Sequence, residues 1–95
     1  VIVMSGSIEQ HGPHGPVGAD TYLGNMVGLA LAGGLGDALL APVIRPACSD
    51  HHLSFPGTIS LPVLLYQQLV EAVCRSLSYH GFEKILLKFL KVVRF

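Results

Sequence analysis

The chain opens on an unbroken apolar run, Val1 to Met4, in which Val1, Ile2 and Val3 are β-branched. Closed by Ser5-Gly6-Ser7, such a run predicts a buried strand that delivers its C-terminal end to a loop. The loop spans Ile8 to Ala19. Beyond it Leu23, Met26, Val27, Ala30, Leu31 and Leu35 recur at helical spacing, so the segment from Thr21 to Leu35 is expected to be a helix. Gly24 and Gly28 lie inside that helix, each at a cost of about 1 kcal/mol relative to Ala. Close approach of the helix to a sheet would offset that cost.

The period then changes. Ala38 to Ile44 predicts a second buried strand, closed by Pro46, and Ala47 to Thr58 a second loop. Ser60 is positioned to cap a second helix with Pro62 in its first turn. Leu65, Leu69, Val70, Val73 and Leu77 form its apolar face, and Gln67, Gln68, Glu71 and Arg75 its wet one. Gly81 ends this helix, and Ile85 to Leu87 opens a third strand. The order β-α-β-α-β predicts right-handed crossovers and an α/β fold, a three-layer α/β/α arrangement around a parallel sheet.

Composition alters this picture in one respect. Of the 95 residues, 51% are apolar and only 13% charged, against about 25% charged in an ordinary soluble domain. A chain so rich in core and so poor in polar surface is expected to be covered by further chain or by a partner subunit. Its length allows one domain at most. The zero net charge argues against a nucleic-acid binder, which carries a basic face or stripe. Charge is nevertheless uneven: all the acids precede Lys84, whereas Lys84, Lys88, Lys91 and Arg94 cluster at the end.

Cys48 and Cys74 form no C-x-x-C pair and read as reduced core thiols. No basic n-region or cleavage site marks a signal peptide, and the longest apolar run, Met26 to Gly36, falls short of the roughly twenty residues of a bilayer span. A cytoplasmic protein without membrane or nucleic-acid partners is the expectation.

The chemistry concentrates in Gly6-Ser7-Ile8-Glu9-Gln10-His11-Gly12-Pro13-His14, followed by Asp20. Glu9, His11 and Asp20 offer two carboxylates and an imidazole, a mixed donor set suited to Zn²⁺, Mn²⁺ or Fe²⁺ rather than to Ca²⁺ or a thiophilic ion. They follow the C-terminal end of a strand, where open parallel sheets bind ligands. An extended backbone would point Glu9 and His11 the same way. On residue types alone, His11 and His14 could equally be hydrogen-bonded loop histidines, and Asp20 a helix N-cap.

That segment closely resembles the opening signature of the creatininase (creatinine amidohydrolase) family. The second loop agrees: His52-Leu53-Ser54-Phe55-Pro56-Gly57-Thr58-Ile59-Ser60-Leu61 resembles the family's H-x-x-F-P-G-T-[IT]-S-L block. Gly81-Phe82 stands where the family has a Gly-hydrophobic pair. The resemblance implies a metal-dependent amidohydrolase that cleaves a non-peptide C–N bond in a small-molecule amide, such as a cyclic amide or formamide. It further implies two divalent ions, Zn or Mn and in some relatives Fe, with Glu9 on one, His11 on the other and Asp20 bridging them. Gln10 and His14 would support these ligands, and His52 and Phe55 would line the substrate pocket. For the last two residues a tight Pro-Gly turn packed by Phe55 is the competing reading. His51, His80 and Asp50 match no family role and are expected to be solvated or locally hydrogen-bonded. Homo-oligomers are common among relatives.

The resemblance covers residues 1–87, which read as the N-terminal part of a creatininase-like domain. Where the family carries N-G-H-G-G-N, with another metal-binding His, this chain has Lys88-Phe89-Leu90-Lys91-Val92-Val93-Arg94-Phe95, a divergent basic and apolar tail over 88–95. The later acidic and histidine residues of the family are absent. Weak or no turnover by this chain is therefore expected, with a non-catalytic metal-binding or subunit-interaction piece as the alternative. Lys84, Lys88 and Lys91 could also form a short basic helix.

Overall fold

The computed structural model describes residues 1–90. Strand β1, Ile2–Ser5, is buried along its whole length and forms the centre of the sheet. Strand β2, Leu86–Phe89, pairs with it in parallel, from Ile2↔Leu86 to Ser5↔Phe89. On the other edge, parallel bridges join Ile2 to Leu40 and Ser5 to Ile44. The expected strand over 38–44 is thus present as two bridges rather than a continuous ladder. The interval from Leu40 to Ile44 is one residue longer than the interval from Ile2 to Ser5 that it faces. The surplus falls around Pro42, which has no N–H to donate, and a bulge results. Ala41 N–H to Ile2 O and Ile44 N–H to Met4 O flank it.

The third strand lies one residue later than expected and extends to Phe89. Lys88 therefore belongs to β2, which excludes the basic helix through Lys84 and Lys88. Lys91 and Arg94 lie outside the described residues.

Helix α1, Ala19–Leu35, buries Thr21, Gly24 and Gly28 against the sheet. Sequence periodicity pointed to Leu23, Met26 and Leu35 instead, yet these are exposed, Met26 to 65%. The small residues face inward because the backbone lies so close: a Cβ on Gly28 would come within 2.6 Å of Leu40 Cδ1 and 2.9 Å of Met4 Cγ.

Helix α2, Val63–Tyr79, covers the opposite face, as the alternation of β1 side chains requires. Met4 faces α1, whereas Val3 joins Ala41, Ile44, Ala47, Cys48 and Tyr66 in the core beneath α2. Leu69, Val70, Val73 and Leu77 pack against that core as expected. Leu65 does not; it is 49% exposed, and Tyr66, 2% exposed, takes the anchoring place. The Ser5 and Tyr66 hydroxyls are hydrogen-bonded to each other within this layer. Helices on both faces of a parallel sheet make the three-layer α/β arrangement.

Ser60 does not cap α2. Pro62 occupies that position, and among the described residues no side chain caps the helix. At the other end Gly81 adopts φ 97°, and the bonds Gly81 N–H to Ser78 O and Phe82 N–H to Leu77 O complete a Schellman closure.

Candidate metal centre

Gly6 governs the geometry of the site. Its N–H continues the sheet by bonding Ile44 O at 2.8 Å, and the first turn of α1 presses directly on it. A Cβ at Gly6 would lie 2.9 Å from both Cα and N of Thr21. Glycine thus lets the start of α1 sit against the end of β1. Two hydrogen bonds hold the junction: Thr21 Oγ1 donates to Ser7 O at 3.2 Å, and Ser7 Oγ donates to Asp20 Oδ2 at 2.5 Å. Asp20 lies in the first helical turn, where the macrodipole favours a carboxylate, while Gly18 is the N-cap.

The loop carrying Glu9 and His11 is held from both sides. Glu9 N–H bonds Val17 O at 3.0 Å, and Ile59 N–H bonds Ile8 O at 2.8 Å. Gln10 N–H donates to Thr58 Oγ1 at 3.0 Å, so Gln10 ties the first loop to the second through its backbone. His14 is exposed in the loop. Glu9 is buried at 4% exposure.

His11 Nδ1–H donates to the Glu9 carbonyl at 2.9 Å. In a neutral ring that bond places the proton on Nδ1 and turns Nε2 into the nitrogen open to a metal, the usual arrangement of a metal-binding imidazole. Nε2 lies 3.4 Å from Asp20 Oδ1. Two electron-rich atoms at that separation need a proton or a cation between them. The spacing also matches the edge of a tetrahedron around an ion with bonds of about 2.0–2.2 Å. Ligand atoms of Glu9, His11 and Asp20 all lie within 4.8 Å of one another. The donor set therefore fits a divalent ion.

The second loop contributes more than the sequence suggested. A 3₁₀ turn over Asp50–His52 brings His51 and His52 to Glu9, and ligand atoms of these three residues also lie within 4.8 Å of one another. Among the described residues His52 Nδ1 is buried without a hydrogen-bond partner, a condition that costs about 1–3 kcal/mol. The next residues form the Pro-Gly turn weighed above, with Thr58 N–H directed at Phe55 O and Gly57 at φ 87°. Phe55 is 47% exposed, its ring centroid 6.2 Å from that of His52. Asp50 is locally hydrogen-bonded, accepting from Ser60 Oγ. Sequence reading missed the contribution of Ser7; His51 is exposed as expected, but its placement beside Glu9 was not anticipated. The available signals were a serine two residues before Glu9 and an adjacent histidine pair in the loop opposite.

A family model described as creatinine amidohydrolase matches residues 1–88. The chain belongs to the creatininase family. A creatininase structure carrying a Trp-to-Phe mutation superposes with a TM-score of 0.80 at 30% identity, covering 90% of this chain and 36% of that one. A mycofactocin precursor peptide peptidase of Mycolicibacterium smegmatis is 36% identical over 83 residues, which cover 82% of this chain and 34% of the relative. A 3-dehydro-scyllo-inosose hydrolase of Thermotoga maritima is 29% identical over 87 residues, or 92% of this chain and 28% of that protein. This chain therefore spans about a third of the length of these creatininase-family relatives. Among the described residues no helix is long and apolar enough to cross a membrane.

Proposed function

We propose that this chain carries the first ligand set of a metal-dependent amidohydrolase acting on a small-molecule substrate with a non-peptide C–N bond, of the cyclic-amide or formamide kind. Zn²⁺ or Mn²⁺, with Fe²⁺ as the other ion suited to the donors, is held by Glu9, His11 and Asp20. The observation that carries this reading is the convergence of those donors within 4.8 Å at the C-terminal end of β1. That the named relatives are hydrolases supports the hydrolytic part of this reading.

Each side chain has a separate task. The His11 ring is held in one tautomer by the Glu9 carbonyl and turns Nε2 toward Asp20. The Ser7 hydroxyl engages one Asp20 oxygen and leaves the other for the ion. Gln10 and His14 act as supporting groups of the same loop, and His52 and Phe55 flank the place where the substrate enters. When bound, a divalent ion lowers the pKa of water and polarises the carbonyl under attack. The 95-residue chain by itself turns over weakly or not at all, because ligands from one side leave two ions under-coordinated.

A second reading, a non-catalytic metal-binding or subunit-interaction piece, is supported by the exposure of Leu23, Met26, Leu29 and Leu35 on α1. Homo-oligomer formation would cover that surface.

The test is a Zn²⁺ titration of the ¹⁵N-labelled chain, followed at the histidine ring nitrogens. The His11 resonances are expected to move, and Asp20→Asn to weaken that transition by more than about 100-fold, since loss of a ligand exceeds the loss of an outer partner. A His11 ring unmoved by saturating Zn²⁺ would overturn the ligand assignment. Hydrolysis of creatinine or formamide at enzyme-like rates would overturn the expected inactivity, and turnover would discard the non-catalytic reading.

A further inference from the structure

The first ligand set leaves unexplained why the second loop directs an imidazole pair at a buried carboxylate. We infer that Glu9, His51 and His52 form a second divalent-cation site, distinct from the Glu9–His11–Asp20 set and sharing only Glu9 with it.

The local structure builds this site. Ser60 Oγ accepts from Ser49 N–H at 2.8 Å and donates to Asp50 Oδ1 at 2.6 Å. His52 N–H bonds Ser49 O at 2.9 Å, and Leu53 N–H bonds Asp50 O at 3.1 Å. These bonds shape the turn over Asp50–His52 and hold Asp50 to Ser60. Ile59 N–H to Ile8 O and Gln10 N–H to Thr58 Oγ1 then draw the two loops together. The result brings one donor atom from each of Glu9, His51 and His52 within a 4.8 Å span, with the two imidazole centroids 4.4 Å apart.

Independently, among the described residues His52 Nδ1 is buried with no hydrogen-bond partner, and a buried ring nitrogen gains by acquiring one. An imidazole pair with one carboxylate selects borderline ions, Zn²⁺, Co²⁺ or Cu²⁺, over Mg²⁺ and Ca²⁺. His51 is exposed, so an ion can reach the site from solvent. The site shares Glu9 with the proposed metal set and His52 with the proposed substrate entrance, while both of its imidazoles come from the other loop.

The experiment uses the full chain with His11→Ala and Asp20→Asn, which disables the first set, and Zn²⁺ as the probe. Zn²⁺ is expected to shift the ring nitrogens of His51 and His52, and adding His51→Ala to weaken binding by more than about 100-fold. Rings that stay unmoved, or an affinity indifferent to His51→Ala, overturn the site. Metal-free amide spectra establish that each variant is folded. Should the double variant fail to fold, His51→Ala alone in the otherwise unaltered chain decides the matter: loss of the His52 shift with the His11 shift retained supports the site, and retention of the His52 shift overturns it. Movement of His11 without His51 and His52 would leave the proposed function standing and remove this inference alone.

Discussion

Replacing Gly6 by alanine tests the link between packing and the metal centre. The added methyl would meet Thr21 Cα and N at 2.9 Å and Asp20 C at 3.1 Å, whereas non-bonded carbons rest at about 3.5–4.0 Å. All three obstructing atoms belong to the backbone, so no side-chain rotation relieves them. The first turn of α1 must withdraw by about half an ångström or more, at an overpacking cost of about 1–3 kcal/mol. Asp20 withdraws with it, because it belongs to that turn, and its bond to Ser7 is stretched. Gly33→Ala is the control, since among the described residues nothing lies within 4 Å of a Cβ there; helix propensity alone should stabilise it by up to about 1 kcal/mol. Urea unfolding of both variants, with Zn²⁺ titration of Gly6→Ala, reads both effects. A Gly6→Ala chain as stable as the parent and equal to it in Zn²⁺ affinity would refute the argument.

Two further outcomes are expected. Burial, moderated by the bond to Ser5 and augmented by the nearby Cys48, raises the Tyr66 hydroxyl above its ordinary pKa of 10.0. Its contribution to stability is therefore complete below that value and is lost as pH rises through the higher folded value. Unfolding measured between neutral and strongly alkaline pH should show the loss, and Tyr66→Phe should diminish it while costing about 1–2 kcal/mol at neutral pH for the severed buried bond. Burial, followed by the charge of Asp50, likewise raises the Cys48 thiol above 9.0. Cys48 should react with a thiol reagent more slowly than the partly exposed Cys74, and equal rates under native conditions would contradict the burial described.

The sequence by itself determined whatever depends on local chemistry. An apolar β-branched run became β1, Gly81 closed α2 through its positive φ, and the Phe55–Thr58 turn follows from Pro and Gly in its central positions. The donor types in the first loop identified a candidate metal centre because Glu9, His11 and Asp20 are close along the chain. Tertiary structure decided what depends on distance between separate elements. Close approach at Gly24 and Gly28 was legible as the offset to their helical cost, but only the packing of α1 on Met4 and Leu40 turned Leu23, Met26 and Leu35 outward. Ser60 has the chemistry of a helix cap, yet the packing of two loops gave its hydroxyl to Ser49 and Asp50. His51 stands far from Glu9 in sequence, and no spacing rule joins them. The bridge between Ile8 and Ile59 brings the two loops together, and the pairing of His51 with Glu9 exists only once the chain has folded.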